Sequence, residues 1–221
     1  MRGNFFIVGV NHRTAPVAVR ERLAYPEPEV TIALGRLKQA MPSIAEVALL
    51  STCNRVELIG ITHKAPDNGL EASQFLAADR AVDHRAFAPA LYHHQGREAV
   101  RHLFRVGASL DSMVVGEPQI LGQLKAAYGQ AVAAETAGLV LHRAFHKAFS
   151  VAKRVRKATL IGHGSVSVSS AAVSLAGKIF DKLAGKTVML IGAGMMAELT
   201  ARSLKRLGIE SLLITSRTFN K

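Results

Sequence analysis

"EVALLSTCNRVELIGI", residues 46–61, sets the reading of the fold. Two apolar runs, "EVALLST" and "NRVELIGI", meet at a short polar stretch, Thr52–Asn54. Runs rich in Val, Leu and Ile, broken in this way, predict two strands joined by a turn. The single cysteine of the chain, Cys53, falls at the tip of that turn, where side chains reach solvent. One cysteine excludes an internal disulfide and cannot build a thiolate zinc site alone. A buried structural cysteine usually has apolar neighbours, whereas this one stands between threonine and asparagine, with Arg55 close by.

Working outward, "NFFIVGVN" at 4–11 reads as a buried strand and "PVAVRERLAY" as a helix with Pro16 near its first turn. Residues 27–40 and "DNGLEASQFLAADRAV" predict two more helices. Strands mixed with helices in this order make a small α+β unit. From about 96 to 159 the apolar spacing is helical, interrupted by "DSMVVGEPQ", where Gly116 and Pro118 predict a loop. In "LHRAFHKAFSVAKRVRK", Arg143, Lys147 and Arg154 fall on one stripe and Phe145, Phe149 and Ala152 on another. "IGHGS", 161–165, reads as a linker, and "VSVSSAAVSLAGKIFDKL" as a further helix.

At 186 the pattern changes to strand, glycine turn, helix, strand: "KTVMLIGAGMMAELTARSLKRLGIESLLITSRT". Gly192, Gly194 and Ala197 form G-x-G-x-x-A, with Ala193, Met195 and Met196 between them. Glycines there let a pyrophosphate approach the backbone at a helix N-terminus. A tight strand–helix turn without a ligand is the alternative. At the end of the second strand, where an acidic residue would select NAD, stand Ser216 and Arg217. They suit a 2′-phosphate and favour NADP, although Arg217 also fits an ordinary exposed position. A complete dinucleotide fold needs well over a hundred residues, so an incomplete Rossmann-type domain and a fragment of a longer protein are expected.

The chain has 221 residues, 49% of them hydrophobic, and a net charge of +12. It carries no secretory signal and no apolar run that approaches a membrane span, so a cytoplasmic protein without a membrane partner is expected. The charge implies attraction to polyanions or a simply solvated basic surface. His142 and His146 have i,i+4 spacing but no acidic partner on their face, and His93 and His94 should diverge, so no metal site is expected. On the residues alone, Cys53 is either an inert thiol or a nucleophile that needs a nearby cation such as Arg55.

"GVNHRTAPVAVRERLA", "LLSTCNRVELI", "LDSMVVGEPQILGQLKAAY", "HKAFSVAKRVRKATLIG" and the glycine turn together resemble the glutamyl-tRNA reductase family, in the same order from about residue 5 to the end. The resemblance implies NADPH-dependent reduction of glutamyl-tRNA(Glu) to glutamate-1-semialdehyde, the first step of tetrapyrrole (porphyrin, haem) synthesis by the five-carbon route. It implies a thioester on Cys53, a catalytic role for His102, and substrate contacts at Thr52, Asn54, Arg55, Ser112, Glu117, Pro118, Gln119 and Gln123. Arg55 suits the substrate carboxylate and Glu117 its ammonium. The implied fold is an α+β catalytic domain, a ferredoxin-like subdomain followed by a helical one, over 1–160. The start of an NADPH-binding Rossmann domain would follow over 161–221, with a C-terminal dimerisation domain absent. A homodimeric full-length protein that channels its aldehyde to an aminomutase is also implied. Many members have glycine just before "LDS", where this chain has Ser109. The runner-up reading is a truncated tRNA-binding or esterase-only fragment without reductase activity. An unrelated cysteine acyl transferase ranks lower, since no paired His–Asp signature is visible.

Overall fold

A computed structural model of the chain describes residues 3–64, 69–162 and 168–216. Contacts divide the chain into two units, one running to Met113 and resuming over Gln119–Leu160, the other comprising Val114–Pro118 and Ile161–Lys221.

The first unit opens with β1 (Asn4–Asn11), followed by α1 (Val17–Leu23), α2 (Glu27–Ala40), β2 (Ile44–Ser51) and β3 (Arg55–Thr62). Then come α3 (Leu70–Asp79), two 3-10 turns at His84–Ala86 and Ala88–Ala90, and β4 (Tyr92–Gln95). Pro16 and Pro26 stand immediately before α1 and α2, where a missing N–H costs nothing. The four strands form one antiparallel sheet in the order β2-β3-β1-β4. That order, with helices between β1 and β2 and between β3 and β4, is the ferredoxin-like arrangement. β4 is absent from the sequence expectation: "YHHQ" is short and has no aliphatic residue, and only pairing with β1 makes it a strand.

β1 and β3 are buried at nearly every consecutive position, so both faces of the sheet are covered. An added Cβ on Gly69, just before α3, would touch Val8 and His93, which places the start of α3 on that face. The opposite face carries Glu57 and Tyr92 and receives α4 (Gly96–Gly107) through His102. α5 (Gln119–Ala133) and α6 (Leu139–Ala158) complete the unit. The α5–α6 connection also protects the β2 edge: the Val47 N–H donates to the Thr136 carbonyl at 2.8 Å and the Thr136 hydroxyl to the Val47 carbonyl at 2.8 Å.

The second unit contains α7 (Val168–Phe180), β5 (Thr187–Ile191), α8 (Met195–Arg206) and β6 (Ser211–Thr215). β5 and β6 pair in parallel, with α8 as the crossover between them. Among the described residues its buried apolar cluster is Val173, Leu183 and Leu204. No helix of the described residues is long and apolar enough to cross a membrane.

Candidate active site at the β2–β3 turn

The turn between β2 and β3 holds itself together from within. The Thr52 hydroxyl oxygen accepts the N–H groups of Asn54 and Arg55, each at 3.1 Å, and the Thr52 N–H donates to the Arg55 carbonyl at 2.8 Å. A threonine hydroxyl that closes a local turn in this way leaves the residue between free to point out. Cys53 is that residue, and it is exposed. Two neighbouring segments brace the turn. The His12 N–H donates to the Asn54 carbonyl at 2.8 Å. Arg20 of α1, itself 5% exposed, donates to the Cys53 carbonyl and to Asn54 Oδ1. A guanidinium therefore sits at the base of the thiol-bearing turn.

Beneath the turn lies a buried charge network that follows from strand alternation. Arg55 and Glu57 are two residues apart on β3 and share one face of the sheet. Gly9 pairs with Glu57 on one side and with Tyr92 on the other. With no side chain between them, the Tyr92 hydroxyl crosses β1 and donates to the Glu57 carboxylate. An added Cβ on Gly9 would sit on the Val56 carbonyl and within 2.9 Å of Glu57 Cα. Glu57 Oε1 also accepts from Arg55 Nη1 at 2.7 Å and from His102 Nε2 at 2.8 Å. Arg55 Nη2 donates to Asp111 Oδ2 at 3.0 Å and to the Asp111 carbonyl. Asp111 also meets exposed Arg13 at 3.4 Å and Asn11 Nδ2 at 3.5 Å. His94, two residues after Tyr92, lies with its ring 4.6 Å from that of His102.

Burial pushes the Glu57 carboxyl up, but Arg55, then His102 and Tyr92, outweigh it and hold its pKa at about 2. Burial and the Glu57 charge push the Tyr92 hydroxyl well above its ordinary value. Burial resists the charge on Arg55, and Glu57 foremost overcomes that and raises its pKa. An ionised Glu57 accepts only, so His102 Nε2 carries the shared hydrogen and Nδ1 is left for other partners. Burial, then the neighbouring His102, lowers the pKa of His94.

The structure thus places Arg55 differently from the sequence expectation. Its side chain is 1% exposed and both terminal nitrogens are engaged by carboxylates, so a substrate carboxylate reaches it only by exchanging with Asp111. His102 is buried and bonded to Glu57. Ser112 is buried beside Asp111. Gln119 and Gln123 are half-buried one turn apart on α5. Gln123 lines a groove of about 180 Å³ with Ser51 and Tyr25, at the end of β2 that leads into Thr52 and Cys53. Glu117 and Pro118 belong to the second unit; Glu117 is buried, which pushes its carboxyl up. Sequence reading missed Glu57, Asp111, Tyr92 and Arg20. The available signal was the alternation of Arg55 and Glu57 inside an otherwise apolar strand.

In the second unit the first glycine of the turn takes a backbone conformation that favours glycine. Gly192 has φ +118°, a region that side chains avoid, and its N–H donates to the Thr215 carbonyl at 2.7 Å. Gly194 stands immediately before α8, and Ala193, Met196 and Ala197 are half-buried around it. A Cβ added to Gly192 or Gly194 would meet nothing within 4 Å, so the space over the helix N-terminus is open on this unit. Backbone N–H groups there and the helix dipole fit a pyrophosphate. Met195 opens α8. Ser216 follows β6, and Arg217 lies outside the described residues, as do 163–165 of the expected linker.

Fold and site together define a class: an α+β domain that presents a solvent-exposed turn cysteine over a buried charge network, in a chain that continues into a dinucleotide-binding type of strand–turn–helix–strand. Comparison with known proteins gives the family. Residues 8–159 match the family model described as glutamyl-tRNAGlu reductase, N-terminal domain, and residues 174–221 match one described as shikimate / quinate 5-dehydrogenase. The chain belongs to the glutamyl-tRNA reductase family. It is 49% identical over 218 residues to the glutamyl-tRNA reductase of Geobacter sulfurreducens, covering 99% of this chain and 50% of that protein. For the Solibacter usitatus glutamyl-tRNA reductase the identity is 51% over 218 residues, covering 97% and 51%. The solved structure of glutamyl-tRNA reductase from Methanopyrus kandleri matches with a TM-score of 0.66 and 35% identity, over 97% of this chain and 50% of that one. The chain spans about half the length of these relatives.

Proposed function

We propose that this chain carries the acyl-transfer site of an NADPH-dependent glutamyl-tRNA reductase, with Cys53 as nucleophile. The Cys53 thiolate attacks the ester carbonyl carbon of glutamyl-tRNA. The bond to the 3′-terminal ribose oxygen breaks, that oxygen takes a proton, and the glutamyl group remains as a thioester. Sulfur suits this step because a thioester keeps an electrophilic carbonyl. Gly192–Ala197 would hold NADPH, whose chemistry there would be hydride donation to the thioester carbonyl, giving glutamate-1-semialdehyde and the free thiolate. The observation that carries the reading is the β2–β3 turn itself: Thr52, Asn54 and Arg20 fix its backbone and leave Cys53 exposed.

Around the thiol, Thr52, Asn54, Ser112, Gln119 and Gln123 supply neutral hydrogen-bonding groups for the glutamyl moiety. Glu117, whose burial favours its neutral form, gains a reason to ionise when an ammonium arrives. Arg55 acts on the substrate carboxylate by exchange with Asp111, or else anchors the turn from below through the bonds it already makes. His102, with Nε2 held by Glu57, delivers or removes a proton through Nδ1. In the whole protein, placed in the cytoplasm, two such chains form a homodimer that passes the aldehyde to an aminomutase.

Incubation with tRNA carrying radiolabelled glutamate tests this. Label is expected on the wild-type chain and absent from Cys53→Ser; label that survives in Cys53→Ser but vanishes in Arg55→Ala excludes Cys53 as nucleophile. A second reading, acyl transfer or ester hydrolysis without reduction, is favoured by the two-stranded sheet of the second unit. Ile191 is 87% exposed, and Met189, Leu213 and Ile214 are each more than half or about half exposed. Addition of NADPH is expected to yield no semialdehyde from this chain, and detection of the aldehyde would sink that second reading.

A further inference from the structure

Between α4 and α6 runs an open groove of about 690 Å³, with Val100, Phe104, Val151 and Val155 in its lining. Arg97, Arg101 and Arg105 recur every four residues along α4, and all three are exposed. On α6, exposed Lys147 and Arg154 stand four residues before and three residues after Val151, on the adjoining helical face. The lining contains one acid, Glu98, which pairs with Arg101 at 3.8 Å. An apolar floor with one aromatic ring between two basic rims is what a single-stranded polynucleotide recognises: phosphates on the guanidinium groups, sugars and bases over the floor. Leu110 is among the lining residues, and the next residue in the chain, Asp111, bonds Arg55, which stands two residues from Cys53 in sequence.

We propose that the α4–α6 groove receives the single-stranded 3′ end of the aminoacylated tRNA and delivers it to the β2–β3 turn. The proposal rests on the acyl-transfer reading, which requires that end to come to Cys53. Binding of uncharged tRNA to this chain, followed by fluorescence anisotropy over a salt series, tests it. Arg101→Glu with Arg105→Glu is expected to weaken binding by about tenfold or more and to make the salt slope shallower by about two. Lys153→Glu, an exposed site on α6 outside the groove, is expected to cost less than about twofold. All three substitutions lie on the surface, and unchanged circular dichroism and melting temperature establish that both variants fold. Trimming the single-stranded 3′ nucleotides from the tRNA should weaken the wild type strongly and the double variant little. Wild-type affinity in the double variant, an equal loss in Lys153→Glu, or full affinity for trimmed tRNA would overturn the groove; the first would leave it to a protein segment. Label on Cys53 at saturating glutamyl-tRNA separates the two ideas. Labelling with groove-independent binding sinks the groove alone, and groove-dependent binding without label sinks the acyl-transfer reading alone.

Discussion

Ser109 shows how much one position depends on backbone conformation. It has φ +61° and is fully buried, and its hydroxyl oxygen accepts from Arg156 Nη2 at 3.0 Å. A non-glycine residue in the left-handed region costs about 1–2 kcal/mol, which explains why glycine suits this place and why serine is tolerated here: the Arg156 bond offsets the strain. Ser109→Gly relieves the strain and loses the bond, so its stability should stay within about 1 kcal/mol of wild type. Ser109→Ala keeps the strain and loses the hydrogen bond from the Arg156 guanidinium, and should lose about 1–3 kcal/mol. Urea unfolding of both variants checks this, and equal stabilities would contradict it. Glu57 makes a prediction in pH. Its folded pKa, about 2, lies below the ordinary 4.5, so between those values the unfolded chain binds the extra proton. The stability it contributes is complete above about pH 4.5 and is lost as pH falls toward 2. Glu57→Gln should flatten that part of the acid-unfolding profile and cost about 3–5 kcal/mol at neutral pH, because Arg55 loses a buried counter-ion. Cys53 was legible as a candidate because polar residues flank it. The Arg55 environment was not, because Asp111 lies 56 residues away in sequence and arrives through the loop after α4.

At the scale of elements, the α6 N-terminus illustrates a cap supplied from a distant strand. Gly138 precedes the helix and has no side chain to offer, and the Glu46 carboxylate of β2 accepts the N–H groups of Val140 at 3.1 Å and Leu141 at 2.7 Å. A Cβ on Gly138 would come within 2.6 Å of that carboxylate, so the glycine makes room for the cap. An anion at a helix N-terminus also meets the dipole favourably. Glu46→Ala should therefore destabilise the first unit by about 1–2 kcal/mol, with the earliest loss of amide protection in the first turn of α6. Uniform loss across the unit would argue against a cap. β1, β2, β3 and the longer helices were visible in sequence because each carries its own period of apolar residues or a proline at its start. β4 was invisible because His93 and His94 become strand residues only through pairing with Val8 and Ile7. Their side chains diverge to opposite faces, His94 to His102 and His93 to the face of Val8.

At the scale of the whole molecule, the two units differ in how much apolar surface each hides. The first buries a continuous cluster built on four strands and six helices. Among the described residues, the second buries Val173, Leu183 and Leu204 and leaves many β5 and β6 side chains exposed. Since burial of apolar area dominates stability, amides of β5, α8 and β6 should exchange with solvent faster than those of β1 and β3, and equal protection would refute this. The strand–turn–strand with its exposed thiol, the helical stretch after residue 96, the glycine turn before α8 and the family could all be read from the amino-acid sequence, because each is written in contiguous residues. That Glu57 gathers Arg55, Tyr92 and His102, that Gly9 clears the path between them, and that α4 and α6 leave a basic groove emerged with the folded chain alone. Those depend on which strands pair and which helix lies over them, and hydrophobic burial settles that choice across the whole chain at once rather than in any one stretch.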